Sequence, residues 1–430
     1  MLYQITDALK ASRADAWEIT ETLEDRWEFY LIRHALDQNR VVHVERYQVK
    51  VFRRSGDGQF LGSASGEIPP TADPAEIRRL VDQLLLAASL VRNPAYTLNQ
   101  PAVQPEKRPA SAPVHPGEIA SAFLSALQQV PETETEDLNS AEIFVSSVQK
   151  HFLNSEGVDV VSEYPSSMVE AVVNARKDGH EIELYRMYTS GTCDAEQLRR
   201  DLTEVLSFGR ARLQASPTPA LEKADVVFST DAALEIYHWY ADRMNAAYKY
   251  MKYSDWEAGE PVAESEGGDS VTLTAVPFLP NSSRNFAFDA EGAPIRETVQ
   301  IQDNVARAFL GSRQFSRYLG LEQSFQPGNL KVSGGRDSAE ALRTGDYLEP
   351  VEFSDFQVNP LTGDIAGEIR LAFWHHDGKV TPVSGGSVSG SMKQFARSIR
   401  FSRETRQYDW MEIPAVTRLK DVTVTGIGEA

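Results

Sequence analysis

The chain reads as an α+β protein of two domains: mixed helices and antiparallel sheet over 1–217, then a strand-rich part, 218–430, carrying one prominent helix. Three observations predict this. Apolar and polar residues alternate through 16–68 and again through 141–190, the period of half-buried strands. In the second half, short strand patterns dominate, and helix signals are confined to 231–247 and to shorter pieces near Ser338 and Met392. Between the halves Pro217, Pro219 and the charged step Glu222-Lys223 break every pattern, which puts a boundary near residue 218.

Taken in order, 16–68 should be a meander, with WEFYLI (27–32) and 41–52 as its clearest strands. A helix follows over 73–92, capped by Asp73 ahead of Pro74 at the first turn. Pro, Ala and Gln then crowd 93–116, the composition of an exposed loop, before a second helix over 117–130. Strands return over 141–190, with Lys177-Asp178-Gly179 as a hairpin turn, and 193–213 is helical. Beyond the boundary, strands are expected at 225–229, 271–276, 298–302, 347–357, 368–374 and 380–383. No internal repeat is visible.

Composition narrows the functional classes. A chain of 430 residues can bury roughly three quarters of its unfolded surface and needs no staple. One cysteine, Cys193, excludes an internal disulfide or a multi-thiolate metal centre and suits a reducing compartment. No apolar run reaches the roughly 18 residues that a membrane helix needs, and the start, MLYQITDALKASRADAWEIT, is an amphipathic helix pattern rather than a signal peptide. A cytoplasmic protein with no membrane partner is expected. The 43 basic residues face 62 acidic ones, net −19, so nucleic acid is not expected as a partner either.

The stretch VVFSTDAALEIYHWYADR (226–243) is a strand followed by a helix. Ala233, Leu234, Ile236, Tyr237, Tyr240, Ala241 and Met244 form its apolar stripe, with His238 and Arg243 to the sides. By itself this is an ordinary amphipathic helix. Its neighbours add SDWEAGEPV (254–262), PIRETVQ (294–300), NPLTGD (359–364), FWHHDGKVTPV (373–383), GGSVSGS (385–391) and DVTVTGIG (421–428), with FLNSEG (152–157) upstream. In order and spacing these blocks resemble the TldD/PmbA family over most of 140–430, and more weakly over the first 100 residues.

The resemblance implies a specific loss. In the zinc-bearing branch of that family the helix carries His-Glu-x-x-x-His, completed by a cysteine near the C-terminus. Carried over, the first His falls on His238, the Glu on Trp239 and the second His on Arg243, while the cysteine should fall within 404–410, where ETRQYDW holds no thiol. Trp239 can neither ligate zinc nor accept a proton, and Arg243 is a permanent cation. Catalytic and metal residues are therefore expected to be absent from this chain. The resemblance implies a PmbA/TldE-type subunit whose TldD-like partner holds the zinc, the pair trimming unfolded peptides, including leader segments of ribosomally made products. Ser384, Gly385, Gly386, Ser387 and Gly390 are the candidate strand edge for an extended peptide. Two alternatives stay open: a metal-free homodimeric peptide-binding module, and an enzyme of other chemistry built on the His238, Trp239 and Arg243 pocket.

Other motifs carry less. His375 and His376 are adjacent on a strand and point to opposite faces, so they cannot chelate one ion together. GSVSG (386–390) misses the nucleophile elbow by register and reads as a glycine turn passing close to another strand. Cys193 starts a helix, where a thiol can be acidified, but has no base beside it.

Overall fold

The computed structural model describes residues 1–103, 115–264 and 266–427. Its first half is one six-stranded antiparallel sheet of β1 (Ala16–Ile32), β2 (Ala35–Ser55), β3 (Phe60–Ile68), β4 (Glu136–Asn154), β5 (Asp159–Lys177) and β6 (His180–Ser190), in the order β3-β2-β1-β4-β5-β6. The turn between β5 and β6 is Asp178-Gly179, both at positive φ (50° and 81°), as a two-residue hairpin with right-twisted strands requires. Four helices join this half: α1 (Leu2–Ala11), α2 (Pro74–Ser89), α3 (Pro116–Leu127) and α4 (Ala195–Arg212). Period two explains where they sit. Trp17, Ile19, Phe29 and Leu31 share one side of β1; the first two are buried with α1 and α2, the last two with α3 and α4. The caps follow the sequence, since Asp73 accepts the backbone N–H of Ala75 and Glu76, both at 2.8 Å.

The loop expected over 93–116 is exposed only in part, and 104–114 lies outside the described residues. Tyr96 and Leu98 are buried against Phe52 and Leu61, so this irregular stretch contributes to a small core. Composition signals the lack of regular structure but not which of its apolar side chains find a home.

The second half contains two sheets. One takes β7 (Ser216–Pro217), β8 (Leu221–Phe228), β13 (Tyr347–Val358), β14 (Asp364–His376), β15 (Lys379–Ser384), β16 (Ser387–Ser391), β17 (Arg400–Phe401) and β20 (Thr417–Thr425). Because β13 pairs with both β8 and β14, the strands β13, β8, β20, β16 and β14 close on themselves in a ring. The other sheet has the order β11-β10-β9-β12-β19-β18, from β9 (Leu273–Val276), β10 (Thr298–Gln302), β11 (Val305–Ala306), β12 (Asn329–Val332), β18 (Thr405–Tyr408) and β19 (Met411–Pro414). Short helices α6 (Ala246–Tyr250) and α7 (Arg313–Tyr318) pack on each other, and α8 (Met392–Phe395) packs on β16 of the first sheet. Helix α5 (Ala233–Arg243) packs against β13 of the first sheet and β19 of the second. Its buried Ile236, Tyr237 and Tyr240 belong to the core that both sheets share.

Two expectations need correction here. The helix expected over 231–247 is two helices: α5 stops at Arg243, and Asn245, extended at φ −78° and ψ 132°, caps α6 by accepting the N–H of Ala247. The strand edge expected over Ser384–Gly390 is not an edge. Strand β16 is interior, with Ser387–Ser389 paired to β14 on one side and β20 on the other, and Ser384 accepts the N–H of Thr218. Gly385 and Gly386, at φ 85° and 78°, form the tight turn, and a Cβ on Gly386 would stand 2.0 Å from the Thr425 carbonyl oxygen. The glycines serve close backbone passage.

Candidate functional site

Helix α5 presents His238, Trp239 and Arg243 to three different environments. The His238 ring is stacked on Trp410, with centroids 5.1 Å apart and planes 6° from parallel, and the guanidinium of Arg284 lies 4.1 Å from the other ring of that stack, Trp410. Trp410 follows Asp409 in the turn between β18 and β19, and Asp409 is held by the Ser283 backbone N–H (2.7 Å) and hydroxyl (2.6 Å). The segment in which the resemblance places the zinc cysteine thus does reach His238, but it delivers an indole. His238 Nδ1 is 3.5 Å from Glu235 Oε1, and its Nε2 is buried without a hydrogen-bond partner. Asp242, one turn on, has its carboxyl pushed up by burial and pulled back by His238.

Trp239 is 2% exposed, set edge-on against Trp256 (5.3 Å, 89°) and Tyr240 (4.9 Å, 81°). The NPLTGD turn closes over it: a Cβ on Gly363 (φ 81°) would come 3.2 Å from its Nε1. Arg243, also 2% exposed, places its guanidinium 5.3 Å from the Trp239 ring and 4.9 Å from that of Trp256, and is ion-paired with Asp255. Burial pulls its pKa down while Asp255 opposes, and guanidinium stays charged near neutrality. Tyr237 and Tyr240 complete the buried side; burial pushes both phenols up, and Tyr237 shares a 2.8 Å hydrogen bond with Thr417.

This donor set does not fit zinc. A zinc centre takes about four N, S or O ligands. Here the first family position keeps an imidazole, the second is an indole locked in a ring cluster, the third is a buried cation and the fourth direction is filled by Trp410. Among the described residues the one group of three side chains close enough to share an ion is Asp346, His376 and Asp377, all exposed on another hairpin. His375 faces away from it, stacked on Tyr347 at 4.1 Å. Cys193 precedes the capping Asp194 of α4, and burial with that carboxylate pushes its thiol up to about 11, so it is not an acidified nucleophile. Ser387 and Gly390 lie in β16, Ser384 ends β15 and Gly385-Gly386 turn between the two strands, with backbone hydrogen bonds to Thr218 and Ile369; the ring stack and carboxylate contact of His238 involve none of them.

Sequence reasoning missed Asp255, Trp256, Arg284 and Trp410 as companions of α5. Asp255 and Trp256 stand within SDWEAGEPV and Trp410 within ETRQYDW, both quoted blocks, but no periodicity marks an indole that packs across a long sequence gap.

Known proteins resemble this chain in both sequence and fold. The family described as PmbA/TldA metallopeptidase C-terminal domain matches residues 221–426. A protein named metalloprotease from Methanothermobacter thermautotrophicus is 29% identical over 279 residues, 58% of this chain and 58% of that protein. An uncharacterized protein from Methanocaldococcus jannaschii is 21% identical over 273 residues, 59% of this chain and 63% of it, so the match spans less than two thirds of either curated relative. The fold is that of the crystal structure of TldE from Thermococcus kodakarensis, at TM-score 0.78 and 16% identity, covering 99% of this chain and 100% of that one. A candidate modulator of DNA gyrase from Bacteroides thetaiotaomicron gives TM-score 0.77 at 16% identity over 99% and 98%. By sequence, residues 221–426 belong to the PmbA/TldD family as its C-terminal domain, and nearly the whole chain has the fold of TldE.

Proposed function

We propose that this chain is the zinc-free, TldE-like subunit of a two-subunit metallopeptidase, working with a TldD-like partner that holds the metal and cuts unfolded peptides. The single observation that carries the reading is the replacement of the family's ligand positions by a packed cluster: Trp239 and Arg243 are each 2% exposed, and Trp410 is stacked flat on His238. Such a cluster stabilises the fold but offers no Lewis acid, and an indole stands where the resemblance places the proton-accepting glutamate. The chain would then supply partner surface and part of the wall around the peptide. A two-domain division near residue 218 and a cytoplasmic setting belong to the same proposal; no helix among the described residues is long and apolar enough to cross a membrane.

The test is reconstitution. Adding this chain to a purified TldD-like partner should raise hydrolysis of an unfolded substrate such as casein, saturating at a fixed ratio of the two chains. Activity of the partner that is indifferent to this chain, with no complex on a sizing column, would sink the proposal.

A further inference from the structure

Strand β2 is paired on both sides over only part of its length. It pairs with β1 from Ala35 to Phe52, but β3 joins its other side only from Tyr47 onward. From Gln38 to Arg46 that outer side carries no backbone hydrogen bond among the described residues. Every second residue there turns its N–H and C=O away from β1, a row of donors and acceptors about 30 Å long at about 3.4 Å per residue. Nothing in the stretch blunts it. It holds no proline and no lysine, and its ladder with β1 runs without a shift until Asp37, which is bulged out between Leu36 and Gln38. The outer side of β3, by contrast, is crowded: Leu61 donates its N–H to the Asn93 carbonyl, and a Cβ on Gly62 would stand 2.0 Å from the carbonyl oxygen of Ala88.

The side chains along this edge suit one more strand. Val42 and Val44 are half-buried on one face, with Arg46 next on the same face, and Val41 is 59% exposed on the other. β-branched residues pair well across strands with their own kind. Arg46 is exposed and has no ion pair among the described residues, so a carboxylate is the complementary group opposite it. An antiparallel second copy centred on Val42 would set its own Asp37 opposite Tyr47, where Ile68 already pairs, so the occupant that fits is a short strand with free ends. We propose that the β2 edge from Gln38 to Arg46 takes an extended peptide as an added antiparallel strand, with β-branched residues opposite Val42 and Val44 and an acidic residue opposite Arg46. Main-chain pairing supplies most of the affinity and tolerates many sequences, and the charge sets the direction. The inference rests on the reading above only in that unfolded peptides are the material handled. Binding is measured on this chain alone, so its failure and a failed reconstitution are separate results.

The test is a titration of the full chain with a fluorescein-labelled peptide of alternating valine and threonine, one residue for each from Gln38 to Arg46, with glutamate at its first position. Fluorescence polarisation and amide exchange are the readouts. Saturable binding with Kd below about 1 mM is expected, with exchange slowed at amides within 38–46. N-methylation of one alternate set of peptide residues should abolish binding and of the other set should leave it, because only alternate amides point at an edge strand. Arg46→Glu, an exposed change that leaves the fold intact, should weaken binding about fivefold, and a peptide with lysine in place of the glutamate should recover it. No saturation up to about 5 mM, the same response to both methylated sets, or slowed exchange only outside 38–46 would overturn the proposal. Failure of the lysine peptide to recover binding would overturn the antiparallel placement.

Discussion

Arg243 shows what a buried cation needs from its surroundings. A guanidinium taken out of water needs a counter-charge and is well served by aromatic faces, and it finds both in Asp255, Trp239 and Trp256. Arg243→Ala should therefore cost about 3 kcal/mol in urea unfolding through lost packing and a broken pair, and Asp255→Asn less, about 1 kcal/mol, since Asp255 is largely exposed. Restoring the family's acid by Trp239→Glu should not restore chemistry. It would place a carboxylate in a cage of rings and remove a buried indole, a loss of about 3–5 kcal/mol, visible as a lowered unfolding midpoint with no gain of zinc. At this scale the sequence was informative by residue type: Trp239 cannot ligate zinc and Arg243 is a permanent cation, whereas the His238 imidazole is a possible ligand. It was silent about the replacement, because Trp410 meets His238 across a gap that no local pattern spans.

Elements with a period or a cap were legible. The meander, the Asp73 cap and the Asp178-Gly179 hairpin follow from alternation, a short acceptor before proline, and positive φ. The break between α5 and α6 was missed because apolar spacing runs on past Arg243, and the signal was Asn245, an N-cap residue inside the run. The glycine block illustrates a second limit: composition told of close backbone approach, but whether a strand is an edge depends on partners distant in sequence, here β14 and β20. The consequence is measurable. Gly386→Ala meets the backbone carbonyl of Thr425 at 2.0 Å and a left-handed φ, whereas Gly390→Ala meets a side chain, the Phe395 ring at 2.1 Å, with no left-handed φ to hold. In thermal denaturation Gly386→Ala should be the more damaging of the two, by at least about 1 kcal/mol.

Across the whole molecule the two halves meet where β1 faces the 289–293 loop. Glu18 is buried there, with its carboxyl pushed up from 4.5 to about 7, first by burial and then by Glu291 and Asp289, against the pull of Lys50. Asp289, buried and accepting N–H groups from Glu291, Ala293 and Gln326, is pushed up to about 6 by burial. Both folded-state values exceed the unfolded ones, so the folded chain holds these protons more tightly. Their contribution is complete below the unfolded values, 3.8 for Asp289 and 4.5 for Glu18, and is lost as pH rises through about 6 and 7. The melting temperature should rise on going from pH 8 to pH 6, and Glu18→Gln should flatten that rise; an unchanged profile in the variant would remove Glu18 from the explanation. Such a junction is invisible in sequence, because acidic residues 271 positions apart carry no joint pattern. The central claim, that the metal chemistry of this family is absent from this chain, is tested most directly by metal analysis. The chain should be expressed alone, dialysed with excess zinc and then against buffer, and its zinc counted per chain alongside hydrolysis of an unfolded substrate. Well below one zinc per chain, with no hydrolysis, is the result expected; one tightly held zinc per chain with hydrolysis by the chain alone would contradict it.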